Sequence, residues 1–189
     1  MSISFYTFKE NYKSISGSLT PFQAEGIKLI LEAWENYNSL TDIRQLAYIL
    51  ATVKHETANT YRPIEEYGKG AGRAYGATVN GHRYYGRGYI QLTWKENYEK
   101  MTKRLKLLGV ECDLVNNPEQ ALDWRIAAAI MFVGMEEGLF TGKKLKDYFN
   151  EYDENPVEAR PIINGKKKKK MIAGYYYEFK NALQVSRNA

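Results

Sequence analysis

Residues 67–88 read YGKGAGRAYGATVNGHRYYGRG, with glycine at 68, 70, 72, 76, 81, 86 and 88. Seven glycines in 22 residues exclude a stable helix, because each costs about 1 kcal/mol against alanine inside one. The stretch reads instead as short strands and tight turns. Its best hairpin signal is Asn80-Gly81, whose residues both tolerate the positive φ of a type I′ turn. Helical sequence lies on either side. A small glycine-rich β lobe at about 64–92 set between helices predicts an α+β fold, mainly α, with a cleft where lobe and helices meet.

Upstream, Thr20-Pro21-Phe22-Gln23 offers an N-cap, a proline at the first helical position and a glutamine that closes a capping box. Ile27, Ile30, Leu31 and Trp34 then recur at helical spacing, so this helix runs to about Tyr37. A second begins near Thr41, carries Ile43, Leu46, Ala47, Leu50 and Val53 on one face, and runs into His55-Glu56. Downstream, Thr93-Trp94-Lys95-Glu96 reads as a capping box for a helix ending before Gly109. Asn117-Pro118-Glu119-Gln120 opens a fourth helix that is apolar on nearly all sides through Val133, the expected spine of the core. Short helices are expected around Lys143 to Phe149 and Pro156 to Arg160, and a last one from Lys168 to Leu183.

Composition narrows the function classes. The chain has 189 residues, which suits one domain. It is 44% hydrophobic and 14% aromatic, values that exclude disorder. A net charge of +5 biases it toward an anionic partner such as nucleic acid, a membrane surface or a bacterial envelope. The single cysteine, Cys112, excludes an intrachain disulfide framework. With His55 and His82 as its only histidines, the chain cannot assemble a usual structural zinc site. Asn59 stands where a zinc-protease helix starting at His55-Glu56 would need its second histidine. Gln91 stands where a dinucleotide fingerprint starting at Gly86 would need glycine, and there is no Gly-Lys-Ser/Thr phosphate loop. Met1 to Lys9 lacks the apolar core of a signal peptide, and the uncharged run Ile126 to Met135 is about half a membrane span. A soluble cytoplasmic product is expected.

Two sites could carry chemistry. Glu56 sits at the edge of the second helix's apolar stripe, where the chain enters the lobe. Partial desolvation there would suit a general acid, whereas the plain alternative is a solvated helix-end carboxylate. Glu65-Glu66 follows Pro63, which breaks the helix and lets the chain turn back toward Glu56. A protonated carboxyl facing an ionised one across a gap is what glycosidic hydrolysis requires. In Gly86-Arg87-Gly88-Tyr89-Ile90-Gln91-Leu92-Thr93, the glycines would let a ligand approach the backbone, while Arg87, Gln91, Thr93 and Asn97 offer donors and acceptors to sugar hydroxyls and amides.

His55-Glu56-Thr57, the Gly86 to Thr93 stretch followed by Asn97-Tyr98, Ile162-Ile163-Asn164-Gly165 and Ile172-Ala173-Gly174-Tyr175-Tyr176 together resemble glycoside hydrolase family 19 over roughly Ile43 to Leu183. The family contains plant-type chitinases and shorter phage endolysins, and the order and spacing here are similar to the endolysin branch. The resemblance implies a lysozyme-like helical bundle and an inverting mechanism, with carboxyls about 6.5–9.5 Å apart. It implies Glu56 as catalytic acid and Glu65 as the base, with Glu66 its rival. Thr93 would help hold the water. Gln91, Asn97 and Asn164 would contact sugar, and His55, Glu66 and Arg87 would support the acid and the cleft wall on the substrate side. No metal or organic cofactor is implied.

The function implied is a peptidoglycan hydrolase cutting β-1,4 bonds. It would be a monomeric single catalytic domain with no wall-binding module, held in the host cytoplasm until a holin-type partner opens the way to the wall. The alternatives are a chitinase acting on N-acetylglucosamine polymers and a non-catalytic glycan-binding module, which would not need paired carboxylates. Nucleic-acid binding lacks any recognisable motif. One departure from the family pattern is the run Lys166 to Lys170 after Gly165, either a solvated face or a cationic grip on an anionic polymer.

Overall fold

The computed structural model describes residues 3–37, 39–163, 165 and 167–186. Among them are six helices: α1 (Phe5–Ser16), α2 (Pro21–Glu35), α3 (Ile43–Glu56), α4 (Lys95–Leu107), α5 (Trp124–Glu137) and α6 (Lys169–Ser186). Between α3 and α4 lie four two-residue strands, β1 (Ile64–Glu65), β2 (Thr78–Val79), β3 (His82–Arg83) and β4 (Arg87–Gly88). The architecture is the expected one, α+β and mainly α, of the lysozyme-like kind.

Local sequence explains where the helices start. The Thr20–Gln23 capping box forms in full, and the Asp42 side chain caps α3 by accepting from the Arg44 amide. The apolar positions read at helical spacing in α2 and α3 are all buried. α1 was not anticipated from sequence. Ser4 caps it, and it lays Phe8 and Tyr12 against Phe179 of α6, with ring centroids 6.4 and 5.1 Å apart. α6 in turn packs along α3, so these three helices form one side of the core.

Several boundaries differ from the sequence reading. Pro118–Leu122 is a separate 3-10 turn, and α5 starts at Trp124, where the Asp123 side chain accepts from the Arg125 and Ile126 amides. A charged cap six positions past Asn117, inside the expected helix, ends one element and begins another. α4 begins at Lys95 with Trp94 as its N-cap residue and no side-chain cap bond, so Thr93 is not a cap. Instead of short helices, Leu145–Asp147 and Arg160–Ile162 each form a single 3-10 turn.

The lobe is two antiparallel pairs. β1 and β4 align Ile64 with Gly88 and Glu65 with Arg87. β2 and β3 form the hairpin, turning at Asn80 and Gly81 with φ of 51° and 82°. Gly88 is needed twice over, since its φ is 88° and an added Cβ would lie 2.9 Å from the Ala121 carbonyl oxygen. None of the helices among the described residues is long and apolar enough to cross a membrane.

One contact tests the packing of α2 on the chain after α3. A Cβ at Gly26 would sit 2.4 Å from the backbone oxygen of Tyr61. Helix propensity alone would favour alanine there by about 1 kcal/mol, while forcing a methyl against backbone costs roughly 1–3 kcal/mol. The clash should win, so Gly26→Ala is expected to lower unfolding stability in urea; a gain would show that the two segments separate easily.

Candidate active site

The end of α3 sets the site. The Thr57 hydroxyl donates to the Val53 carbonyl at 2.7 Å, and Ala58, Asn59 and Tyr61 then adopt positive φ of 49°, 66° and 55°. That sequence of left-handed residues stops the helix and reverses the chain, so β1 returns toward the helix end. Glu56 therefore lies on the helical side of a cleft of about 470 Å³, and Glu66, just past β1, lies on its lobe side.

Glu56 is held by a residue the sequence reading did not single out. Arg160 Nη1 donates to Glu56 Oε1 at 2.7 Å, with side-chain exposures of only 7% and 15%. In the sequence Arg160 looked like the end of a short helix, and nothing local marked it as the partner of a residue 104 positions away. His55 sits beside this pair, half-buried and off the cleft wall. Burial pushes its imidazole pKa down, Arg160 and Lys168 push the same way, and Glu56 opposes them.

The two neighbouring glutamates are separated by geometry. Adjacent residues of an extended chain project to opposite sides. Glu66 Oε1 accepts from the Tyr75 hydroxyl at 2.7 Å and Oε2 from the Gly86 amide at 3.1 Å, on the cleft wall. Glu65 is not among the wall residues. Its Oε1 accepts from the Tyr85 hydroxyl at 2.6 Å and its Oε2 meets Lys69 Nζ at 2.9 Å. The Tyr85 hydrogen bond first, and Lys69 next, hold its carboxyl below the usual glutamate range.

Of the other expected contacts, Gln91, Thr93 and Asn97 all line the cleft. Gln91 spends its amide on the carbonyls of Ile64 at 3.0 Å and Gly88 at 3.2 Å, so it clamps the lobe. Asn97 donates to the Thr93 carbonyl at 2.9 Å. Among the described residues nothing bonds the Thr93 hydroxyl, which leaves it available to a ligand.

Arg87 must be corrected as a substrate contact. It is 2% exposed, donates to the Arg83 carbonyl at 2.9 Å and the Tyr98 hydroxyl at 3.2 Å, and stacks 3.7 Å from the Tyr85 ring centroid. Its task is to join lobe and α4. Asn164 lies outside the described residues, as does Lys166.

The sequence reading also missed an aromatic wall. Trp94 and Tyr75 line the cleft edge-to-face, centroids 5.5 Å apart, and the indole is 46% exposed. Trp94 has a φ of 71°, so the start of α4 turns its indole out of the helix register. Among the described residues no three histidine, cysteine, aspartate or glutamate side chains gather where a metal could be held.

No family model matches the chain, and no curated sequence relative does either. Solved structures do. A bacterial family 19 chitinase aligns with TM-score 0.62 at 22% identity, covering 96% of this chain and 94% of its own. Chitinase C from Streptomyces griseus HUT6037 gives 0.61 at 20% identity, covering 96% of this chain and 78% of its own. The class IV family 19 chitinase from Zea mays gives 0.60 at 16%, covering 98% and 94%. At these identities the likeness establishes the fold: the chain folds as family 19 chitinases do.

The Glu65 network makes a titration testable. Its folded pKa is depressed, so the stability it contributes is present above the unfolded value and disappears as pH falls through the folded one. Tyr85→Phe should raise the Glu65 midpoint in a carboxyl NMR titration and cost more stability at neutral than at strongly acid pH. An unmoved midpoint would show that the tyrosine hydroxyl does not hold this carboxylate.

Proposed function

We propose that the protein is a glycoside hydrolase of the family 19 type. In this reading it cuts β-1,4 bonds of peptidoglycan glycan strands by inversion, with Glu56 as general acid and Glu66 as general base. The observation that carries this reading is the pairing itself: two carboxylates, in unlike environments, on the helical and lobe sides of a single cleft. The family 19 chitinase fold of the aligned structures supports the reaction class.

The groups divide the work as follows. Glu56 gives its proton to the oxygen of the leaving sugar as the bond from the anomeric carbon breaks. Arg160 already grips Oε1, so the other oxygen carries the proton, and the guanidinium stabilises the carboxylate that forms as the proton departs. An interaction that strengthens as charge develops lowers the barrier itself. On the other face a water attacks the anomeric carbon and yields its proton to Glu66. The Tyr75 hydroxyl and the Gly86 amide fix the orientation of Glu66, and the Thr93 hydroxyl can hold the water. Trp94 and Tyr75 offer an apolar surface to the faces of the sugar rings.

The finer reading rests on the motif order and short lobe, which resemble the endolysin branch. Under it the enzyme acts from inside an infected bacterium, waiting in the cytoplasm until a holin-type protein permeabilises the membrane. The names of the aligned structures favour a second substrate, chitin. Mass spectrometry of products from purified peptidoglycan, run beside a chitin hexamer, separates the two. New reducing ends of either sugar on the peptidoglycan strands support the first, muramic acid marking a muramidase and glucosamine a glucosaminidase, and turnover of the hexamer without cutting of the strands redirects to the second.

The catalytic assignment has its own test. Glu56→Gln and Glu66→Gln should each lower kcat by about 10²–10⁴-fold while circular dichroism stays native, as expected for loss of general acid or base. Glu65→Gln should cost far less. A larger loss at Glu65 than at Glu66 would transfer the role of base to Glu65.

A further inference from the structure

The helical side of the cleft includes Phe140 and Ile163, and each is followed by exposed lysine. Thr141 ties the two segments together, its hydroxyl donating to the carbonyls of Pro161 at 2.6 Å and Ile162 at 3.2 Å. Lys143 leaves from one segment, Lys167 and Lys168 from the other. Among the described residues no carboxylate pairs with these three, whereas the next lysine along, Lys169, meets Glu158 at 2.6 Å.

Lys168 is near enough to His55, the neighbour of Glu56, for its charge to help push the imidazole pKa down. Its backbone is left-handed, with φ of 65°, a conformation that costs a lysine energy and that clusters at ligand sites. It also stands just ahead of α6, where the helix dipole disfavours cations. On the lobe side Arg73, exposed and two residues from Tyr75 of the wall, likewise has no carboxylate partner among the described residues.

We propose that Lys143, Lys167 and Lys168 form an anion subsite on the rim of the cleft that takes a carboxylate carried by the glycan. The substrate is then a β-1,4 hexosamine polymer bearing acidic substituents, since a neutral polymer offers these ammonium groups no partner. The inference rests on the glycoside hydrolase reading and specifies its substrate class.

The test compares three substrates: purified peptidoglycan strands with their carboxylates free, the same strands with the carboxyls converted to neutral amides, and a chitin hexamer. For the wild-type protein kcat/KM should be roughly three- to tenfold higher on the free-acid strands than on the amidated ones, the range expected of two or three exposed ion pairs. The difference should lie in KM and shrink as salt is raised. In a Lys143→Gln/Lys167→Gln/Lys168→Gln variant that melts like wild type, the ratio should fall to about one. A wild-type ratio of one, or a variant that keeps the full ratio, overturns the subsite. So does a ratio that follows wall-attached phosphate instead of carboxylate. Turnover of neither strands nor hexamer would overturn the hydrolase reading itself, a result distinct from turnover without charge preference.

Discussion

The buried contact between Arg160 and Glu56 constrains much of the molecule around it. Taking two charges out of water costs several kcal/mol per ion, and only good geometry and further hydrogen bonds offset it. The pair therefore demands that the end of α3 and the turn at Arg160–Ile162 hold their places. α3 is fixed by its packing on α6, and the turn by the Thr141 hydroxyl. Arg160 Nε is buried and without a partner among the described residues, so this guanidinium is held for its grip on Glu56 at some cost.

The lobe meets the opposite difficulty, having too little of its own to be stable. Isolated two-stranded ribbons are marginal even when longer than these two-residue pairs. The lobe is made firm from outside its strands. Arg87 is buried against Tyr85 and Tyr98, the Tyr98 hydroxyl donates to the Tyr85 carbonyl at 2.8 Å, and the Gln91 amide spans Ile64 and Gly88. The polar stretch from Gly86 to Thr93 is thus mostly scaffold, and its product is a rigid location for Glu66.

What the sequence shows and what it hides follow from the range of the interactions involved. The Thr20–Gln23 capping box, the Asn80-Gly81 turn and the helical stripes of α2 and α3 depend on residues a few positions apart, and those readings match the structure. Glu56 was legible because it ends a periodic stripe. Arg160 was not, because its meaning comes entirely from a distant partner. The choice between Glu65 and Glu66 could not be made from composition, since one residue of register moves a side chain to the other side of the chain. α1 carries only a short local signal, the Ser4 cap and the Phe5, Phe8 and Tyr12 spacing, and its burial depends on Phe179 of the distant α6.

Thr93 and Trp94 show how a broken local rule can mark function. A Thr-x-x-Glu start ought to spend its hydroxyl on capping a helix. Here Trp94 takes a left-handed backbone instead, and such a residue costs of order 1–3 kcal/mol unless its surroundings impose it. The Trp94 amide donates to the Tyr84 carbonyl at 3.0 Å, which anchors the distorted turn to the lobe. Two cleft groups result from the one distortion: a hydroxyl released from capping and an indole on the cleft wall. A regular helix start would have stabilised α4 further and left the wall beside Glu66 with neither.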